Sequence, residues 1–300
     1  DVTLVSRAAF LAASGNGSSS QPHLTWVANS GFSAPGRVGT LFIVFQSDAT
    51  NLINGDNNGA TDIFRTAVDL TSDAEGNLRL VVNGNATLVS AINGDTEVGN
   101  GASTMAAVGG TNGDIVAFQS IATDLVAGFG DTNGPNASDV YARNIATNST
   151  VLISHEVANV ANGGSAESTN PVVDATGRAI AFESDATDII GADTNGVRDV
   201  FYTDISGGSG PFTKLRASLT STGNEGSGGA SGDPSIYVAG NGRTLVAYES
   251  SKDDLVPGST ASTNVYVFDS STATSTLLNQ KRYSTLESIG DGSARHPVIA

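Results

Sequence analysis

Short apolar runs rich in Val, Ile, Phe and Tyr alternate along the whole chain with polar stretches of Gly, Ser, Thr, Asn and Asp. Apolar runs of about four to eight residues are typical of β-strands, and the polar stretches between them are typical of tight turns. A helical period of 3.6 residues is nowhere sustained. The pattern therefore predicts a protein built from many short strands.

The apolar runs belong to a phrase that recurs four times, at spacings of roughly 62 to 75 residues. Its third copy reads AFESDATDIIGADTNGVRDVF, and each copy carries four strand-like segments. The first segments are Pro22–Ala28, Ala102–Val108, Pro171–Asp174 and Pro234–Ala239; the second are Leu41–Gln46, Ile115–Gln119, Ala179–Glu183 and Thr244–Glu249; the third are Asp62–Ala67, Asp139–Ala142, Asp199–Thr203 and Asn264–Phe268; the fourth are Ala86–Ser90, Thr150–Ser154, Thr213–Ser218 and Ser275–Asn279.

Four antiparallel strands per repeat form the blade of a β-propeller. A β-sandwich and a linear β-solenoid are the alternatives, but a sandwich does not repeat and a solenoid repeats over fewer residues. The sequence thus predicts an all-β fold, a β-propeller of four-stranded antiparallel blades within residues 1–300. The predicted repeats span approximately 7–90, 91–154, 155–218 and 219–280.

The two ends of the chain predict an unfinished blade. Asp1–Ser6 matches a fourth strand and Ala294–Ala300 matches a first strand, so 281–300 with 1–6 would form a partial unit. Either the chain is a piece of a longer propeller, or a neighbouring chain completes this blade. Open strand edges are templates for pairing, which makes homo-assembly through them an expectation.

Aromatic residues recur at two positions of the repeat, which predicts packing between adjacent blades. Trp26 stands alone in a first strand and is predicted to lie in the core. The recurring aromatics are Phe45, Phe118, Phe182 and Tyr248 in the second segment, and Phe64, Tyr141, Phe201 and Tyr266 in the third.

Several positions recur together: Gly-Arg-x-(Val/Ile)-Ala-Phe-x-Ser, then Ala-Thr-(Asn/Asp)-Leu, then Asp-Thr-Asn-Gly-x-x-Asp-Val-Phe. Gly177–Phe201 fits this pattern almost throughout. The pattern resembles the TolB-type, WD-like β-propeller repeats of exported bacterial proteins. The resemblance implies a propeller and an extracellular or cell-surface location, with the periplasm as the alternative. It implies no single activity, because propellers host many functions.

An Asp-x-Asn-Gly turn precedes the third segment in three of the four copies. Ca²⁺ takes six to eight oxygen ligands from carboxylates, amides and carbonyls, and alternating residues of a tight loop direct such oxygens into one concavity. The spacing is similar to that of the calcium loops of FG-GAP propellers. Metal-free turn chemistry is the alternative, since Asp and Asn side chains also bond nearby backbone N–H groups. The predicted ligands are Asp56, Asn58 and Asp62; Asp131, Asn133 and Asp139; and Asp193, Asn195 and Asp199.

The formal charge of −16 and the pI near 4.3 disfavour nucleic acid and anionic lipid as partners and are compatible with cation binding. The sequence contains no cysteine, which excludes disulfides, thiol catalysis and a Cys-based zinc site. No apolar stretch approaches the ~20 residues that span a bilayer, so membrane insertion is not expected.

These observations predict a non-enzymatic structural or interaction module of an exported bacterial protein, stabilised by calcium, with protein or carbohydrate partners at the cell surface. The alternatives are a glycan hydrolase or lyase that uses the propeller funnel, and a periplasmic TolB-like docking protein. The enzyme alternative requires polar residues unique to one blade, and the sequence shows no obvious set. The paired carboxylates Asp185 with Asp188 and Asp253 with Asp254 are explained as solvated turn caps.

Overall fold

The computed structural model describes residues 14–191, 193–208, 210–259, 261–281, 288–289 and 297–299. Every regular element within those ranges is a β-strand, and the described chain has no helix long and apolar enough to cross a membrane. The predicted strand Asp1–Ser6 lies outside the described residues, as does most of Ala294–Ala300.

Sixteen strands form four antiparallel sheets, and within each sheet the strands neighbour one another in chain order. Two short strands, β17 (Gln280–Lys281) and β18 (Ser288–Ile289), pair separately. The first sheet holds β1 (Ser19–Ala28), β2 (Gly36–Ser47), β3 (Asp62–Ser72) and β4 (Leu78–Leu88); the second holds β5 (Ser103–Gly109), β6 (Ile115–Ser120), β7 (Asp139–Asn144) and β8 (Ser149–Leu152); the third holds β9 (Ser168–Val173), β10 (Ala179–Ser184), β11 (Asp199–Asp204) and β12 (Lys214–Arg216); the fourth holds β13 (Ser231–Val238), β14 (Thr244–Ser250), β15 (Asn264–Asp269) and β16 (Thr274–Leu277).

Each sheet is thus a four-stranded antiparallel meander, which is the blade of a β-propeller. The predicted all-β propeller of four-stranded blades is confirmed. The chain divides into two compact units, residues 1–129 with 141–151 and residues 130–140 with 152–300. The repeat boundaries themselves stay a prediction.

The recurring aromatic residues are buried and meet as pairs across the second and third strands of their own sheet. Phe182 and Phe201, for example, are cross-strand partners whose ring centroids lie 5.8 Å apart. Large rings fit the pleated surface and bury more apolar area than any other side chains. The corresponding pairs are Phe45 with Phe64, Phe118 with Tyr141, and Tyr248 with Tyr266, at centroid distances of 5.6 to 6.0 Å.

In the second unit the third and fourth sheets share one apolar core. Ala181, Val200 and Tyr202 of the third sheet pack in the same cluster as Tyr248 and Tyr266 of the fourth. Tyr202 of the third sheet also meets Phe268 of the fourth, with ring centroids 5.5 Å apart, so side chains of both sheets fill one closely packed core. The predicted packing between blades is present here.

Trp26 does not occupy the predicted core position. Its side chain is 42% exposed, and its ring covers Gly39 of β2, where an added Cβ would lie 2.4 Å from the ring. Most residues of β1 are exposed. Trp26 therefore packs on its own sheet's backbone rather than between sheets, which the position in the repeat could not reveal.

The first strand of every sheet contains a bulge at the same place. In each of the four sheets the pairing register of the first and second strands shifts within two or three residues of the start of the first strand, and one residue there has a positive φ. A left-handed backbone outside glycine is strained, although Asn and Asp tolerate it best. The bulge residues are Gln21 (φ 51°), Met105 (φ 52°), Asn170 (φ 52°) and Asp233 (φ 53°).

Phe201→Ala should lower the free energy of unfolding by about 3–5 kcal/mol, because it empties a fully buried ring site that cannot collapse around a methyl group. Urea unfolding followed by circular dichroism measures the change. Leu215→Ala is the matched control in the same sheet, since its side chain is 51% exposed, and it should change stability far less. Equal effects of the two substitutions would contradict the packing described here.

Candidate functional site

The turns between the second and third strands hold the nine predicted calcium ligands. In the first turn the closing residue Asp62 is fully buried. Its Oδ1 accepts a hydrogen bond from Ser90 Oγ at 2.6 Å, and its Oδ2 accepts one from Asn58 Nδ2 at 2.9 Å. Ser90 Oγ in turn accepts from the backbone N–H of Ile63 at 3.0 Å. The closing aspartate therefore ties the turn to the segment that follows the fourth strand.

Asn58 directs its nitrogen, not its oxygen, towards Asp62. The same Nδ2 donates to Gly99 O at 2.8 Å, and Oδ1 accepts from Ala60 N at 2.9 Å. Both ends of the amide are therefore engaged in holding the turn. Asp56 differs, because it is buried and its Oδ1 has no hydrogen-bond partner among the described residues.

The second turn repeats the arrangement with longer contacts. Asp139 accepts from Ser154 Oγ at 2.8 Å, while Asn133 Nδ2 lies 3.4 Å from the second oxygen of that carboxylate. Asn133 Oδ1 is buried without a hydrogen-bond partner in the described chain. Asp131 is exposed, and its Oδ1 accepts from Gly134 N at 2.8 Å.

The third turn gathers more carboxylates than the other two. Oxygens of Asp193, Asp199 and Glu225 all lie within 4.8 Å of one another. Asn195 Nδ2 donates to Asp199 Oδ2 at 2.9 Å, as Asn58 does in the first turn. Like charges this close need compensation when they are buried.

Two buried cations supply that compensation. Arg216 contacts Asp193 at 2.9 Å, Glu225 at 2.6 Å and Asp199 at 3.5 Å, and Lys252 Nζ contacts Asp199. Arg216 is 4% exposed and Lys252 is 0% exposed. The third turn is thus an ion-pair network built from side chains alone.

Burial governs the ionisation of the turn carboxylates. It raises the pKa of Asp62 to about 6, although the hydrogen bonds from Ser90 and Asn58 oppose the shift. Burial raises the pKa of Asp139 to about 7 and that of Asp193 to about 6. Each turn therefore places a carboxylate where water stabilises its charge poorly.

A different group of polar residues lines an open cavity of about 360 Å³ at the third and fourth sheets. Glu183 of β10 and Glu249 of β14 stand at the same position of neighbouring sheets, and they are 9% and 8% exposed. Gly232 is the cross-strand partner of Glu249 and lies against the Glu183 carboxylate. A Cβ at Gly232 would lie 2.3 Å from Glu183 Oε2, so only glycine allows the Glu183 carboxylate to lie against β13.

Side chains around Glu183 set its charge. Burial raises the pKa of Glu183, while a hydrogen bond from Asn170 and the positive charge of Arg198 oppose that shift. Arg198 Nη1 lies 3.5 Å from Glu183 Oε2, and Arg198 also binds Asp185 at 2.5 Å. The bulge residues Asn170 and Asp233 lie at the cavity too, with Asn170 Nδ2 3.4 Å from Asp233 Oδ1.

A pair of carboxylates of which one has a raised pKa is the arrangement that general acid–base chemistry uses. Sequence reasoning missed this pair, because both residues sit inside a strand motif that repeats. The signal was nevertheless present. At this one position the four copies read Gln46, Gln119, Glu183 and Glu249, so amides in the first two sheets become acids in the last two.

No protein-family model matches the chain, and no curated protein matches its sequence. Among solved structures, the α-L-arabinanase of Penicillium chrysogenum complexed with arabinobiose is similar at 14% identity and a TM-score of 0.37, over 87% of this chain and 72% of that one. The GH93 α-L-arabinofuranosidase of Fusarium graminearum is similar at 10% identity and 0.35, over 84% and 67%. A thermostable family-43 glycoside hydrolase is similar at 12% identity and 0.28, over 98% of both chains.

These neighbours contradict two expectations from the sequence. The chain was expected to be a non-enzymatic structural or interaction module, and not an enzyme, whereas the solved structures it resembles are glycoside hydrolases. The expectation relied on finding no polar set peculiar to part of the repeat array, and the pair Glu183 and Glu249 is such a set. At identities of 10–14% and TM-scores of 0.28–0.37, the likeness assigns no role to any residue of this chain.

Lys252→Met should lower the free energy of unfolding by about 3–5 kcal/mol, because it leaves the buried Asp199 carboxylate without one of its two cations. Urea unfolding at pH 7 measures the loss. Arg243→Met is the control: it removes the exposed ion pair with Asp269 and should change stability little. A Lys252→Met protein as stable as the parent would show that the network is not needed.

Proposed function

We propose that this protein is a carbohydrate-active enzyme that hydrolyses glycosidic bonds in the cavity between β9–β10 and β13–β14. The observation that carries the proposal is the pair Glu183 and Glu249, two buried carboxylates at one cavity where the equivalent residues of the other sheets are glutamines. Glycoside hydrolysis generally needs two carboxyl groups in different protonation states on either side of the scissile bond.

Glu183 suits the role of general acid. Its raised pKa keeps Glu183 protonated up to a higher pH than an ordinary glutamate. Glu183 can therefore donate a proton to the glycosidic oxygen as the bond to the anomeric carbon breaks. Glu249 supplies the second carboxylate, which stabilises the positive charge that develops at the anomeric carbon. It also takes a proton from the water molecule whose oxygen bonds to that carbon, so that the water replaces the departing sugar. Arg198 acts as a positioning residue through its contact with Glu183.

The lining of the cavity favours a neutral glycan. Asn170, Ser251 and Thr263 offer amide and hydroxyl groups that suit sugar hydroxyls. Glu183, Glu249 and Asp233 outnumber the single cation Arg198 among the lining residues, so a uronic acid polymer would be repelled. This charge balance favours hydrolysis of neutral chains over a lyase reaction on acidic ones.

Glu183→Gln and Glu249→Gln should each lower kcat/KM by about 10²–10⁴-fold, because an amide neither donates the acid proton nor carries the charge. The fold should persist, since glutamine already stands at this position as Gln46 and Gln119. Release of reducing ends from a panel of arabinan, xylan, glucan and mannan oligosaccharides measures turnover.

Glu75→Gln, an exposed substitution in the turn between β3 and β4, is the control that should leave turnover unchanged. The proposal is overturned if the native chain cleaves no glycan of the panel, or if both glutamine variants turn over at the native rate.

The basic limb of the pH profile should report on Glu183. Activity is lost as the acid deprotonates, so a raised pKa moves the loss to a pH above the ordinary value of 4.5. Because Arg198 holds that pKa down, Arg198→Met should move the basic limb of kcat/KM to still higher pH. Arg243→Met is the control and should not move it, because Arg243 is not a lining residue of the cavity and pairs with Asp269. A limb unaffected by Arg198→Met would remove Glu183 from the acid role.

Carbohydrate is accordingly the proposed partner class. The TolB-type, WD-like character of the repeats, the extracellular or cell-surface location with its periplasmic alternative, protein partners and homo-assembly through blade edges stay predictions from the sequence.

A further inference from the structure

One position of the fourth strand holds different residue types in the first and third sheets. The residue paired with the buried aromatic of the third strand is Arg216 in the third sheet, opposite Phe201, and Leu88 in the first sheet, opposite Phe64. The cation that contacts Asp193 in the third sheet is thus replaced by an apolar side chain in the first.

The second cation of the third turn, Lys252, also has an apolar equivalent. The backbone N–H of Lys252 donates to Ser250 Oγ at 3.1 Å, and the backbone N–H of Ala122 donates in the same way to Ser120 Oγ at 3.0 Å. Lys252 and Ala122 therefore occupy the same position of the repeat. Lys252 comes from the sheet after the third turn, and Ala122 comes from the sheet after the first. Both cationic positions of the third turn are therefore apolar at the first.

The carboxylates themselves remain in the first turn. Asp62 is 0% exposed and Asp56 is 9% exposed, and both belong to the same turn between β2 and β3. Each Asp62 oxygen accepts one hydrogen bond, from Ser90 or from Asn58, and keeps a second lone pair that can face a cation. Asp56 Oδ1 is buried and has no hydrogen-bond partner among the described residues. A buried carboxylate oxygen without a partner is costly unless a cation meets it.

We infer that the first turn binds a Ca²⁺ ion through Asp56 and Asp62, and that the third turn does not, because Arg216 and Lys252 take the place of the ion. Two carboxylates and the carbonyls of a tight turn are the oxygen ligands that Ca²⁺ prefers. Asn58 acts as a positioning residue, since its amide is committed to Asp62, Gly99 and Ala60. The three acids of the third turn are the denser cluster, yet they are the ones already neutralised.

Calcium titration of matched variants tests this assignment. Isothermal titration of CaCl₂ into the chelator-treated 300-residue chain should show a site that Asp56→Asn removes, lowering the stoichiometry by one. Asp193→Asn changes the same repeat position in the third turn and should leave the stoichiometry unchanged. MgCl₂ should bind more weakly, because Mg²⁺ requires tighter octahedral geometry.

Leu88→Arg provides a second, independent test that does not remove a ligand. An arginine at this position is compatible with the fold in the third sheet, and in the first it should reach Asp56 and displace the ion. Thermal unfolding of the native chain should rise by several degrees on adding Ca²⁺, whereas the Leu88→Arg chain should lose most of that rise.

The inference is overturned if the native chain binds no Ca²⁺, if Asp56→Asn keeps the native stoichiometry, or if Asp193→Asn is the variant that loses a site. It is also overturned if Leu88→Arg keeps the full thermal response to Ca²⁺. Because Asp56 and Leu88 are not cavity-lining residues of the proposed active site, none of these outcomes depends on glycan hydrolysis.

Discussion

The buried hydrogen bond between the turn-closing aspartate and the serine after the fourth strand holds each of the first three sheets together. Ser90, Ser154 and Ser218 each donate to the aspartate and accept from the backbone of the third strand. One side-chain pair thereby fixes the turn, the start of the third strand and the end of the fourth. In the fourth sheet an Asn264–Asn279 pair takes over at 3.0 Å, so the geometry survives without the charge.

This arrangement explains why a carboxylate persists at a place where its ionisation is unfavourable. The carboxylate is the acceptor that both the serine hydroxyl and the asparagine amide need, and hydrogen bonds to a charged acceptor are stronger than neutral ones. The cost of burying charge then falls on the neighbourhood, which must offer a positive partner. Arg216 and Lys252 are such partners in the third sheet.

Much of the fold could be predicted from the sequence, because strand length, turn residues and repeat spacing all report local preferences. The paired aromatics at Phe182 and Phe201 follow from the same repetition. The exposure of Trp26 could not be predicted, since it depends on what covers β1 and not on β1 itself. The Asp-x-Asn-Gly motif predicted where carboxylates lie close together. It could not predict that Asn58 and Asn195 direct their amide nitrogen, and not their oxygen, towards those carboxylates.

The candidate active site was hidden for a related reason. Glu183 and Glu249 occupy a repeated position, and repetition is ordinarily the mark of packing. Their meaning depends on Gly232, a residue distant in sequence from Glu183 whose missing side chain makes room for its carboxylate. Sequence spacing alone does not report such a vacancy between two strands.

The strand-one bulge offers a way to vary chemistry on a constant backbone. Gln21, Met105, Asn170 and Asp233 share nearly one φ value although their side chains are a long amide, a thioether, a short amide and a carboxylate. A backbone conformation that accepts such different side chains lets one repeat acquire a new polar group while the other repeats keep theirs. Duplication of a blade would then supply a scaffold first and selectivity afterwards.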